Sequence, residues 1–261
     1  MSMNTSKAPI RIFEGTAKPG EPYWRVMDAA ASESGEPEIQ FDGVISEWAF
    51  YEDDITPKKF KDDLYQIGKG GPVTVRINSP GGDVTAASLL RAILIDYPGR
   101  VTCRVDGLCA SAATVVAVSG DRVLMQDTAF WMIHDPWTVA IGGVEDLKAV
   151  IELLKTVKDG IVAAYTSRSN LGAERIGKLM TDETWMTAAE AQGYGFVDQV
   201  IAANPNKAGL RPGQNAAMLN GLRTYRNLPA DLRALLEQPT AEAPANNPLA
   251  DRLRAEAKLL A

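Results

Sequence analysis

Histidine is almost absent from this chain: its 261 residues include one, His134. Any chemistry that needs an imidazole must use that residue, and a metal site built on several histidines is excluded. Cysteine is nearly as scarce. Cys103 and Cys109 are the only two, too few for a disulfide scaffold or a four-ligand zinc site. Long apolar runs are missing too; the stretch from Ala112 to Val118 falls far short of the roughly 18 residues that a membrane span requires. The first residues, MSMNTSKAPIRIF, carry no apolar segment of the kind a secretory signal needs, so the expected compartment is a reducing cytoplasm. Positive charge is not in excess either. Lys and Arg number 27 against 33 Asp and Glu, and no basic run is interleaved with aromatics, which argues against a nucleic-acid surface.

What is present suits a globular enzyme. Apolar residues make up 46% and charged residues 23%, enough for one substantial core with a tail. Residues 1–38 read as an N-terminal segment and first strand region, 39–202 as the main domain, and 203–261 as an Ala/Pro/Leu-rich, partly ordered extension. Strand-like runs occur at Ile39–Ile45, Val73–Ile77, Val101–Val105 and Phe130–Ile133; each is short, β-branched or aromatic, and bounded by Gly, Pro, Asp or Asn. Helical patterns lie between them. Thr56-Pro57 is a good N-cap and first helical residue, with Phe60, Leu64 and Ile67 on one face. Another helix follows Gly81-Gly82, and the pattern from Val144 to Tyr165 predicts an amphipathic helix of about six turns. Thr187 and Glu190 form a capping-box pair. In the extension, the Pro239–Pro248 linker is flanked by short helices after Pro229 and around Leu249–Leu260. Strands alternating with helices predict an α/β architecture.

Three segments carry residues suited to acyl transfer, which needs a nucleophile, a base, a group to orient the base, and donors for an oxyanion. Ser111 lies in Gly107-Leu-Cys-Ala-Ser-Ala-Ala, uncrowded by its small neighbours and at the start of a buried helix whose first N–H groups can receive an anion. On its own, a helix-capping serine explains the segment as well. His134 ends an apolar strand and precedes a proline-fixed bend in Met132-Ile-His-Asp-Pro136. A core histidine is the plainer reading of that segment alone. Ile77-Asn-Ser-Pro-Gly-Gly-Asp83 leads through a double glycine that can expose backbone N–H groups at positive φ, or simply make a tight turn.

Together, in this order and spacing, these segments resemble the Clp peptidase family. The resemblance runs from about Ile39 to Val200 through INSPGGDV, GLCASAA, MIHDP and ETWMTAAEAQGYGFVD. It implies a Clp/crotonase-like fold of stacked β-β-α units with the long helix projecting. Ser111 would be the nucleophile and His134 the general base, and the N–H groups of Ala112 and of Gly81 or Gly82 would form the oxyanion hole. Setting Trp185–Asp198 against the family pattern puts Glu183 at the acid position, with Asp182 as the alternative. Asp135 departs from the Gln or Asn expected beside the histidine, and adjacent strand residues point to opposite faces, so it is not taken as the orienting acid.

The resemblance further implies a serine endopeptidase that acts on a polypeptide, forms a homo-oligomeric ring, needs no cofactor or metal, and relies on a separate ATPase if it needs one at all. The wording of the motifs looks closer to that of phage and prophage relatives than to the housekeeping subunit, which implies capsid maturation in the cytoplasm of a bacterial host with scaffold or coat precursors as substrates. A housekeeping-like proteolytic subunit, a crotonase-type acyl-CoA enzyme, a serine-lysine peptidase and a silent assembly scaffold are the rivals. Gly172–Lys178 mimics a P-loop but is followed by Leu179, not Ser or Thr. Cys109 reads as a small buried hydrophobe rather than a nucleophile.

Overall fold

The computed structural model describes residues 24–30, 32, 34–46, 56–202 and 221–237. The linker at Pro239–Pro248 and the helix expected at Leu249–Leu260 lie outside them. The described strands are β1 (Trp24–Met27), β2 (Glu38–Ile45), β3 (Val73–Gly82), β4 (Val101–Ala110), β5 (Arg122–Gln126), β6 (Phe130–Ile133), β7 (Thr184–Thr187) and β8 (Gln199–Ile201). The helices are α1 (Pro57–Gly68), α2 (Val84–Asp96), α3 (Ala112–Ala117), α4 (Val144–Thr166), α5 (Ala173–Thr181), α6 (Ala188–Gly193) and α7 (Ala230–Glu237).

The sheet runs β1-β2-β3-β4-β5-β8, with β6 joined to β4 and β7 to β6. All pairs are parallel except β1 with β2 and β6 with β7. Strands β3 and β4 continue past their predicted ends at Ile77 and Val105, so the double glycine and the residues before Ser111 belong to strands. The sequence hides this extension because Asn, Ser, Pro and Gly are poor strand formers. Side chains satisfy the irregular ladder instead. Asn78 Oδ1 accepts the Leu108 N–H at 3.0 Å where the β3/β4 register shifts, and Ser79 Oγ donates to the Gly43 carbonyl at 2.6 Å where β2 bulges.

Strand β4 changes partner along its length. Thr102–Val105 pair with β5, whereas Leu108–Ala110 pair with β6. Alternation separates two faces of the sheet. Val73, Val75 and Ile77 enter the apolar core with Phe60, Leu64, Leu90 and Val116. On the opposite face Arg76 meets Asp106 at 2.6 Å and Glu38 at 3.6 Å, and Arg104 meets Asp106 at 2.9 Å.

The caps follow the sequence. Thr56 accepts the Lys59 N–H and Asp83 the Ala86 N–H, while Thr187 and Glu190 close a reciprocal capping box. Helix α4 spans the predicted residues, and its buried positions are Ile161, Ala164 and Tyr165, near its C-terminal end. Its apolar stripe at Val144, Leu147 and Ile151 is exposed. Among the described residues no helix is long and apolar enough to cross a membrane.

Gly82 has φ +144°, and an added Cβ would lie 2.1 Å from the Ile45 carbonyl oxygen. Gly82→Ala is therefore expected to destabilise the fold by more than about 1 kcal/mol, read as a lower urea midpoint. An unchanged midpoint would contradict this placement of β2 against β3.

Candidate active site

Ser111 sits at the turn from β4 into α3, directly after the last residue paired with β6. Ala110 is in register with Met132, and the Ser111 N–H donates to the Met132 carbonyl at 2.8 Å. Strand β6 ends one residue before His134. The two parallel strands thus release both side chains at their carboxyl ends, where ligands gather in open α/β sheets. Ser111 Oγ and His134 Nε2 are 2.7 Å apart. A hydroxyl hydrogen-bonded to an imidazole is the arrangement that activates a serine for attack.

The serine backbone is unusual. Its φ of 54° and ψ of −127° place it in a sparsely populated region whose cost is on the order of 1–3 kcal/mol. Surrounding contacts hold it there. The Ser111 carbonyl accepts the Thr114 N–H at 2.9 Å and the Thr114 hydroxyl at 2.5 Å, and that hydroxyl lies 2.6 Å from Tyr165 Oη. Among the described residues only Lys69, Ser111 and Glu183 are non-glycine with positive φ, so two of the three belong to this site.

The double glycine approaches from β3. A Cβ on Gly81, whose φ is +95°, would stand 2.8 Å from Ser111 Cβ and 2.9 Å from the Ala112 nitrogen. Gly82 abuts Ile45 instead. Gly81 and Ala112 are therefore the backbone groups beside the serine, while the Gly81 N–H donates to Ser79 Oγ at 3.1 Å.

The carboxylates differ sharply. Asp135 turns away, paired with Lys158 at 2.7 Å and accepting from Thr181 at 3.0 Å. Asp182 pairs with Lys178 at 2.8 Å in an exposed position. Glu183 is buried, 4% exposed, and its charge raises the His134 pKa. No hydrogen bond joins Glu183 to His134. The Glu183 carboxylate instead accepts the Asn227 N–H at 2.6 Å and lies 3.7 Å from Arg226 Nε.

Three residues at this site were not singled out from the sequence: Tyr225, Arg226 and Asn227, all from the extension. The Tyr225 ring stands edge-on to His134 at 5.3 Å and to Trp185 at 5.6 Å. Leu222, Leu228 and Leu232 pack with Leu108, Ala110 and Met132 in a satellite apolar cluster. Only Leu228 and Leu232, four residues apart, gave a helical signal; Leu222 is off that period. Cys109 is buried beneath the site, and burial pushes its thiol well above its ordinary value, which leaves it unreactive.

Burial lowers the His134 pKa; Glu183 and Asp135 oppose that shift and Arg226 adds to it. A histidine with a lowered pKa stays neutral further into acid. The acid limb of any reaction using His134 as base is therefore expected below about 6.5, the ordinary histidine value. Glu183→Gln removes an upward influence, so the limb should move further down and the maximal rate should fall. Asp182→Asn should change neither. The pH dependence of serine-probe labelling checks both, and an upward move in Glu183→Gln would refute the assignment.

The sequence profile described as Clp protease matches residues 64–204. An ATP-dependent Clp protease proteolytic subunit of Leuconostoc citreum (strain KM20) is 32% identical over 139 residues, covering 52% of this chain and 70% of the relative. Proteolytic subunit 2 of Thermobifida fusca (strain YX) is 30% identical over 142 residues, covering 53% and 70%. A proteolytic subunit of Streptococcus pneumoniae (strain Hungary19A-6) is 30% identical over 132 residues, covering 49% and 67%. The matched region contains strands β3 to β8, the double glycine, Ser111, His134 and Glu183, and the chain belongs to the Clp protease family.

Proposed function

We propose that the chain is a serine endopeptidase that cleaves polypeptides through an acyl-enzyme. The observation that carries this is the 2.7 Å contact between Ser111 Oγ and Nε2 of the only histidine. His134 Nε2 takes the Ser111 proton as Oγ attacks the scissile carbonyl carbon. The tetrahedral oxyanion is held by the backbone N–H of Ala112 and of Gly81, the glycine that lies against Ser111; Gly81 gives up its bond to Ser79 Oγ to do so. Collapse breaks the C–N bond, and His134 passes its proton to the leaving amine. Water then attacks the ester by the same steps, restoring Ser111 and releasing the acid.

Glu183 is the acid of this reading. Its role is to accept the imidazole Nδ1–H and stabilise the imidazolium, a bond it does not make in the present arrangement with Asn227 and Arg226. The exposed stripe on α4 at Val144, Leu147 and Ile151 supports assembly with further copies into a ring. The relatives are subunits of ATP-dependent proteases by name, whereas the motif wording favours a capsid precursor as substrate. Degradation of an unfolded polypeptide against a scaffold or coat precursor, each with and without a Clp-type ATPase, separates the two.

Labelling with a fluorophosphonate probe tests the core of the proposal. Wild type should label, and Ser111→Ala and His134→Ala should lose labelling while retaining their circular dichroism. Absence of labelling in the folded wild type and in variants with residues 221–237 displaced would instead favour a silent scaffold.

A further inference from the structure

The segment Gly221–Glu237 packs directly over the Ser111–His134 pair. Its Tyr225 hydroxyl donates to the Pro80 carbonyl, the residue just before Gly81. That places the phenol at the rim formed by the double glycine, and its oxygen interacts with the Ser111 hydroxyl closely enough to offset part of the upward push that burial gives the phenol. The ring covers His134 at 5.3 Å. Gly221 seats the start of the segment on the same rim: a Cβ there would be 2.8 Å from Pro80 Cβ and Cγ.

Beyond Tyr225 the segment continues along an apolar groove. Leu108, Ala110 and Met132 form its floor, with Phe130 and Trp185 beside them, and Leu222, Leu228 and Leu232 fill it at no more than 7% exposure. The same segment also occupies the acid. Asn227 donates its N–H to Glu183 Oε1 at 2.6 Å and its side-chain amide to the Asp182 carbonyl at 2.9 Å. In this arrangement the Glu183 carboxylate is bonded to Asn227 and makes no hydrogen bond to the imidazole. One stretch of chain thus covers the base, crowds the nucleophile and diverts the acid.

We infer that Gly221–Glu237 is a pseudosubstrate strap, which holds the site closed until a polypeptide presenting aromatic and leucine side chains displaces it from the groove of Leu108, Met132 and Trp185. The inference rests on the peptidase reading above. It assigns the groove to the substrate's apolar side chains, with Tyr225 marking the position nearest the serine. Opening requires no covalent change: the apolar contacts of three leucines are exchanged for those of the incoming chain, and Glu183 is returned to His134.

The test uses the full-length protein with the strap loosened by substitutions remote from the reacting atoms. Leu228→Asp with Leu232→Asp puts two charges into the groove, and Gly221→Val collides with the Pro80 ring. Hydrogen exchange across residues 221–237, followed by mass spectrometry, reports whether the strap has left. In released variants fluorophosphonate labelling of Ser111 should be at least tenfold faster than in wild type. A synthetic peptide of residues 220–237 should slow it again, and the same peptide carrying Y225A should do so less well. Released variants that label no faster than wild type, or that lose labelling while folded, would overturn the strap and make the segment a structural part of the site; the peptidase reading would survive in the first case through the wild-type signal. If neither wild type nor any released variant labels, the peptidase reading falls and the strap falls with it.

Discussion

The hydrogen bond from the Ser111 N–H to the Met132 carbonyl, 2.8 Å long, ties the end of β4 to β6. Strand β4 leaves β5 after Val105 and takes β6 as partner from Leu108 onward, and this change of partner makes the bond available. Because β4 and β6 are parallel, both chains leave the sheet at the same end, and a serine just past one strand meets a histidine just past the other. A one-residue slip would turn either side chain to the wrong face. The register is therefore as much a part of the site as the side chains, and Asn78, which satisfies Leu108 at the irregularity in β3/β4, helps to hold it.

The strained serine depends on the same frame. Its positive φ is unfavourable locally and persists because Met132, Thr114 and Tyr165 constrain the turn from both sides. Glu183, also at positive φ, stands at the corresponding bend between α5 and β7. Strain at these two bends aims the ends of β4 and β7 toward His134, and the apolar packing of Tyr165, Trp131 and Phe196 behind them supplies the rigidity. On the open side the cover comes from the extension, whose hold on the site consists of three leucines, one tyrosine and a few polar contacts.

Much of the fold was legible because its elements have local causes. Thr56-Pro57 and the Thr187/Glu190 pair mark helix starts through their own side chains, and the apolar period of Val144–Tyr165 marks a helix whatever surrounds it. Strands β1, β5, β7 and β8 were less legible. They are short and borrow their stability from neighbours distant in sequence. The continuation of β3 through Pro80 and of β4 through Ala110 escaped for the same reason, since tertiary pairing overrides the turn-like composition of INSPGG and GLCA.

For the site, the division is between identity and geometry. The single histidine and the motif-borne serine were singled out by the combination of motifs, and the structure brings the two side chains to 2.7 Å. Sequence left Gly81 and Gly82 open and favoured Glu183 over Asp182; in the structure Gly81 lies against Ser111, and Glu183 is buried while Asp182 is exposed. The position of Tyr225, more than a hundred residues after Ser111, was beyond any local pattern. Composition and spacing determine which groups a chain can use, through forces acting over a few residues. Which of them meet, and what covers them, is decided by long-range packing, because burial and register exist only once distant segments have come together.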